Sequence, residues 1–185
     1  MLKYISYDFY NELEVIDFSA FDISKIKDND MFDYIYNFSP QTIKQYINSL
    51  KMIYQRPDYH PEGDVYTHTK TVVNRIASTK NIDLIIAAYM HDTGKDRTHK
   101  IIKGTIMHPG HADYSSQLLN IGSPWRQWVR KLGGKPSTVR YIISNHTKMK
   151  ELNTNNKSKL WYQSLNKEYK KYFDLFSEFD KGGFI

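Results

Sequence analysis

The chain is 185 residues long and carries 26 Lys and Arg against 20 Asp and Glu, for a formal net charge of +6, with no cysteine. That length suits a single folded domain, and the absence of cysteine excludes disulfides and thiolate metal sites, so any metal must take imidazole and carboxylate ligands. The positive balance favours anionic partners. The opening stretch Met1-Leu2-Lys3-Tyr4-Ile5-Ser6-Tyr7-Asp8 lacks a continuous apolar core, so no signal peptide or membrane span is expected and the default location is cytoplasmic.

Residues 1–38 are acidic and aromatic, with Asp17, Asp22, Asp28, Asp30 and Asp33 set among Phe and Tyr. They carry no recognisable chemistry and are expected to wrap the core as short helices. Ser39-Pro40 predicts an N-cap followed by proline at the first helical position. Ile43, Tyr46, Ile47, Leu50 and Ile53 then recur at helical spacing, which predicts an amphipathic helix over 40–54. Two prolines and a glycine between Tyr54 and Asp64 predict a loop, with Asp64 as the cap of the next helix. That helix, about 65–79, places His68 on the same stripe as Val72, Val73 and Ile76. Asn81 or Asp83 opens another helix, whose run Leu84-Ile85-Ile86-Ala87-Ala88 leads into His91-Asp92 before Gly94 stops it.

Residues 93–107 read as a polar loop holding Lys95, Asp96, Arg97, Thr98, His99, Lys100 and Lys103. A short helix follows near Pro109-Gly110-His111, with Tyr114, Leu118 and Leu119 inward, and another with Trp125 and Trp128 ends at Gly133-Gly134. Lys135-Pro136-Ser137 starts a helix whose Val139, Ile142 and Ile143 lead to His146. Beyond a polar loop over 147–158, one last helix carries Trp161, Leu165, Tyr169, Phe173, Phe176 and Phe179, ending at Asp180 before Gly182-Gly183. No segment alternates as a strand does, and no internal repeat is present. The predicted class is all-α.

Several helices thus deliver a ligand-type side chain at or near an apolar stripe: His68, His91 with Asp92, His111, His146 and Asp180. Buried imidazoles and carboxylates are costly unless paired or coordinated. Six of them spread over five helices point to a metal centre. His60, His99 and His108 sit in loops and are expected to face solvent or substrate.

In His60-Pro61-Glu62-Gly63-Asp64-Val65-Tyr66-Thr67-His68-Thr69, Met90-His91-Asp92-Thr93-Gly94-Lys95, Gly110-His111-Ala112-Asp113, Asn145-His146 and Phe179-Asp180, the chain resembles the HD-domain metal-dependent phosphohydrolases. The resemblance covers roughly residues 57–183. The first and third segments, and Asp174-Leu175-Phe176-Ser177-Glu178-Phe179-Asp180-Lys181-Gly182-Gly183, are most similar to the HD domains attached to bacterial CCA-adding tRNA nucleotidyltransferases. The chain has neither the length nor a strand pattern for the nucleotidyltransferase domain itself, so a stand-alone HD protein is expected.

The resemblance implies a bundle of roughly six to eight helices, read as one domain over 1–185 with a helical extension over 1–50 and a metal-binding core over 51–185. It implies that His68, His91, Asp92 and Asp180 hold one divalent ion. His111 and His146 occupy the places of a second ion's ligands, with Asp92 bridging. Two such ions polarise a phosphoryl group and generate the hydroxide that attacks phosphorus. The ligand types leave the metal open among Mn, Ni, Co, Fe, Mg and Zn. Lys95 is expected to neutralise a substrate phosphate oxygen, and Arg97 to widen the basic rim. His60 is expected to line the mouth, and Glu62 to orient water or assist proton transfer.

Three functions compete at this level. The first is a phosphohydrolase acting on nucleotide or RNA-end phosphate esters, either a phosphomonoesterase or a cyclic-nucleotide phosphodiesterase. The second is a (deoxy)nucleoside triphosphate triphosphohydrolase, as in one-metal members of the family, against which His111 and His146 count. The third is a non-catalytic nucleic-acid or protein-binding module, against which the intact ligand set counts. The partners expected are a nucleotide or RNA phosphate and no membrane, with a homodimer left open.

Overall fold

Helix α5, Ile82–Met90, is apolar all round and is therefore surrounded by protein: Leu84, Ile85, Ile86, Ala87, Ala88, Tyr89 and Met90 are all buried. Each large apolar side chain so enclosed contributes about 1.5–3 kcal/mol, which makes this helix the axis on which the rest is arranged. The computed structural model describes residues 8–181; the readings of Met1–Tyr7 and of Gly182-Gly183 lie outside them.

Around that axis the order is α1 (Asp8–Glu14), α2 (Met31–Asn37), α3 (Gln41–Ser49), α4 (Val65–Ile76), α5, α6 (Lys95–Thr98), β1 (Lys100–Ile102), β2 (Thr105–Met107), α7 (His111–Gln117), α8 (Pro124–Lys131), α9 (Pro136–Asn145), α10 (Asn156–Ser164) and α11 (Lys167–Phe179). Helices α4 and α9 both pack on α5, α7 packs on α9, and α11 packs on α4 and α5. The all-α class stands. The N-terminal segment wraps the bundle through α1, α2 and intervening 3-10 turns, with Met31, Phe32 and Ile35 buried and the Trp128 indole donating to the Phe38 carbonyl.

Caps follow side-chain chemistry closely. Asp64 accepts from the Thr67 amide and opens α4, while Asn81 accepts from the Leu84 amide and opens α5. Asp83 instead accepts from the Lys135 amide at 2.6 Å, tying α5 to the start of α9. Pro40, not Ser39, is the residue flanking α3; the Ser39 hydroxyl donates back to the Ile35 carbonyl inside the preceding turn. The predicted last helix is two, because Leu165 turns extended and Asn166 caps a new helix through the Tyr169 amide.

Two segments predicted as loops are ordered structure. Residues 93–107 form α6 and a small antiparallel hairpin, registered Lys100 to Met107, Ile101 to Ile106 and Ile102 to Thr105. Its two-residue turn, Lys103-Gly104, has positive φ at both positions, +50° and +76°, the geometry that keeps a tight hairpin's strands in step. Three-residue strands with mostly exposed side chains leave no alternating pattern to read. Residues 146–151 continue from α9 as a 3-10 helix, and α10 begins at Asn156, where a loop is predicted. Tyr114 is half-exposed rather than inward; in its helix Ala112, Ser115 and Ser116 face the core.

Candidate metal centre

His68, His91, Asp92, His111, His146 and Asp180 converge, all buried or nearly so, though they come from five separate places in the chain. His68 sits in the first turn of α4, and its Nε2 lies 3.0 Å from Asp180 Oδ1. His91 and Asp92 follow the last residue of α5. His91 Nε2 is 3.2 Å from Asp92 Oδ2 and 3.3 Å from Asp180 Oδ1. Asp180 caps the C-terminus of α11, its amide held by the Phe176 carbonyl.

Three of the four histidines are oriented by one local device. His91 Nδ1 donates to the Ala88 carbonyl at 2.8 Å, His111 Nδ1 to the His108 carbonyl at 2.8 Å, and His146 Nδ1 to the Ile143 carbonyl at 2.6 Å. Each acceptor is three residues back, so a histidine just past a helix or turn end folds onto it. The fourth, His68, gives Nδ1 to the Glu62 carboxylate. With Nδ1 committed in this way, each ring turns Nε2 inward, the atom that a neutral imidazole offers to a metal.

The Asp92 carboxylate divides the cluster in two. Oδ2 faces His91 at 3.2 Å and His68 at 3.6 Å; Oδ1 faces His111 at 3.2 Å and His146 at 3.9 Å. His68, His91 and Asp92 form one group able to hold a cation, and Asp92, His111 and His146 another.

The donor set fits a cation. His91 Nε2 is buried between oxygens of Asp92 and Asp180, at 3.2 and 3.3 Å, and makes a well-aligned hydrogen bond to neither. His111 Nε2 and His146 Nε2 stand 3.2 Å apart, and with both Nδ1 atoms donating to carbonyls two neutral rings would have no proton to place between them. Two lone pairs at that distance repel in the absence of a cation, whereas two nitrogens bound about 2.1 Å from one ion sit about 3 Å from each other.

Electrostatics agree with this. Burial, which favours a neutral carboxyl, is outweighed by His91 and Lys95 at Asp92 and by Lys150 and His68 at Asp180, so both are held well below the usual carboxylate range. Burial, reinforced by His91 and His111, lowers His146 to about 3 and keeps it neutral. Burial also opposes charge on His91, but Asp92 and Asp180 overcome it and push its pKa up to about 9. In the protein alone that proton balances the two carboxylates, and a cation would displace it.

Among the other predicted site residues, Lys95 is buried. Its ammonium lies 2.6 Å from Asp92 Oδ2 and also reaches the Gln55 side-chain carbonyl. Glu62 Oε1 is spent on His68, which makes Glu62 a brace for that ring; Oε2 is buried and unpartnered. His60 lines the cavity over the site, its ring edge-on to His68, and burial followed by the Lys95 charge lowers it to about 4. His60, Glu62 and His68 are also grouped closely enough to hold an ion. That use of His68 would require removing the Nδ1 proton that Glu62 accepts, so the trio reads as a support.

Arg97 is not brought to this site. Its side chain is half-exposed, pairs with Asp96 at 3.3 Å, and lines a separate cavity with Tyr46, Tyr114 and Trp125. The reason is helical: two residues past Lys95 on α6, Arg97 points to the opposite side. His108 does line the main cavity, its Nε2 3.0 Å from His99 Nδ1.

Two neighbours escape sequence reasoning. Gln55 fixes Lys95 from a loop and leaves no sequence signal. Lys150, whose ammonium lies 3.1 Å from Asp180 Oδ2, follows His146 by one helical turn, a spacing that marks it in retrospect.

The HD domain model matches residues 65–179, from the start of the His68 helix to the residue before Asp180. The chain belongs to the HD domain family. No curated protein and no solved structure matches it. The HD domain carries metal-dependent phosphohydrolase activity in general, and the His and Asp groups of this chain are placed to bind divalent metal. Among the described residues, no helix is long and apolar enough to cross a membrane.

Proposed function

We propose that this HD protein is a divalent-metal-dependent phosphohydrolase acting on nucleotide or RNA-end phosphate esters, as a phosphomonoesterase or a cyclic-nucleotide phosphodiesterase. The observation that carries the reading is the division of Asp92, with one oxygen turned to His68 and His91 and the other to His111 and His146. Paired divalent ions supply polarisation of a phosphoryl oxygen and lower the pKa of a bound water toward neutrality.

The protein's own residues do the rest. His68, His91 and Asp180 would hold one ion and His111 with His146 the other, with Asp92 between them. Lys95, pinned by Asp92 and Gln55, keeps a third N–H for a phosphoryl oxygen. The cavity above the cluster is about 690 Å³ and is lined by Tyr59, His60, Lys95, Ile106, Met107 and His108, among others. That volume lies in the range of small-ligand sites, and its apolar wall suits a nucleoside beside the phosphate. The RNA-end option draws support from the similarity of the His60–His68 segment to the HD domains of CCA-adding enzymes.

The test is a substrate panel of 2′,3′-cyclic nucleotides, 2′- and 3′-nucleotides, cyclic dinucleotides and dNTPs, each with Mg, Mn, Ni and Co. Metal-dependent hydrolysis of a nucleotide ester, abolished by Asp92→Ala with the fold retained, is expected. Metal-loaded protein that cleaves none of them overturns the reading and promotes a binding module; cleavage of dNTPs alone promotes the triphosphohydrolase.

A further inference from the structure

Both carboxylates of the cluster carry a lysine on the cavity side. Lys95 sits against Asp92 and is buried with two acceptors; Lys150 sits against Asp180 and is 56 % exposed, with that one ion pair among the described residues. The Asp180 oxygen that meets Lys150 is Oδ2, whereas Oδ1 is the atom turned to His68 and His91. Lys150 therefore takes no space a cation would need. Both lysines line the same cavity, as do His60, His108 and His111.

The two differ in freedom. Lys95 is locked by its partners and by its position directly behind the His-Asp pair. Lys150 projects from the 3-10 segment His146–Glu151 on a four-carbon stem, lines the cavity, and has three N–H donors against the one Asp180 carboxylate. A cation held by Asp180 would draw charge from that carboxylate and weaken its hold on the ammonium, which would leave Lys150 available to an arriving anion.

We infer that Lys150 is a second phosphate-contacting lysine, and that its charge tilts the site toward a terminal, doubly charged phosphoryl group over a singly charged diester. Lys95 and Lys150 together cancel Asp92 and Asp180, so the charge of bound cations is left to the substrate. Removing Lys150 takes away one positive charge from the side where a terminal phosphoryl group carries its second negative charge. The selectivity part rests on the phosphohydrolase reading; the phosphate contact does not.

The experiment compares wild type, Lys150→Gln and Lys150→Arg, each loaded with Mn and checked for metal content and thermal stability. Inorganic phosphate binding is measured by calorimetry, and kcat/KM is measured for p-nitrophenyl phosphate and bis-p-nitrophenyl phosphate. Lys150→Gln is expected to weaken phosphate about ten- to a hundredfold, the loss typical of one charged hydrogen bond, with metal content unchanged. Its monoester-to-diester ratio should fall about tenfold, and Lys150→Arg should restore most of both. Unchanged phosphate affinity, or a loss that tracks lost metal, overturns the inference, since Lys150 would then only hold Asp180. Equal loss on both esters overturns the selectivity part. If wild type cleaves neither ester yet binds phosphate through Lys150, the hydrolase reading falls and the phosphate contact stands.

Discussion

His111 and His146 face each other with bare Nε2 atoms 3.2 Å apart, each ring held by a carbonyl three residues back. As neutral rings, neither has a proton to offer the other. This pair converts a cluster of ligand-type residues into a site shaped for a second cation.

Wild-type protein purified without chelator should therefore hold about two divalent equivalents, consistent with a two-ion site. His146→Ala should lose one equivalent and keep the other. Elemental analysis alongside circular dichroism reads this directly. A single equivalent in both proteins would remove the second ion.

Glu62 holds His68 from behind, and its contribution should appear in metal affinity. Glu62→Ala is expected to weaken the ion at His68, His91 and Asp180 about 10- to 100-fold, the usual cost of losing a partner behind a ligand. Glu62→Gln, which keeps an acceptor for His68 Nδ1, should lie between. Chelator competition measures both, and unaltered affinity in the alanine variant would end the brace assignment.

Gly94 is required by proximity. Its φ is ordinary, but a Cβ there would lie 2.3 Å from the His111 carbonyl oxygen and 2.7 Å from the Ser115 amide nitrogen. The Gly94 amide also donates to the Ser115 hydroxyl at 2.8 Å. Gly94→Ala should push α7 away, cost about 1–3 kcal/mol and displace His111. A melting temperature and metal content equal to wild type would show that α7 adapts without moving its ligand.

Asp83 gives a pH effect remote from the metal. Burial raises its carboxyl pKa, and the Lys135 amide only partly offsets that. With the folded pKa above the unfolded one, the native state binds more protons between the two values. Stability therefore falls as pH rises through that window. Asp83→Asn keeps an acceptor for Lys135 without the charge, so it should be more stable than wild type at pH 7. The gap should narrow toward pH 4, as denaturant titrations at both pH values will show. A variant less stable at pH 7 would mean the charge itself supports the start of α5.

Much of this molecule was legible in order of residues. Helical spacing of apolar side chains marked α4, α9 and α11, because a buried stripe must repeat every turn whatever it packs against, and an unbroken apolar run marked α5. The same stripes flagged His68, His91, Asp92, His111, His146 and Asp180, since polar groups on a buried face need partners. Asp64 and Asn81 announced their caps, a purely local bond. The hairpin at 100–107 stayed hidden because its strands are too short and exposed to impose a pattern, and Arg97 was misassigned because its neighbours in sequence point the other way in space. Only the packed structure decided which oxygen of Asp92 meets which histidines, that Lys95 is buried against it, and that Lys150 reaches Asp180. Periodicity constrains a residue's face, but the meeting of atoms from five separate segments is set by how the helices cross, and Asp92 comes to stand between two pairs of histidines there.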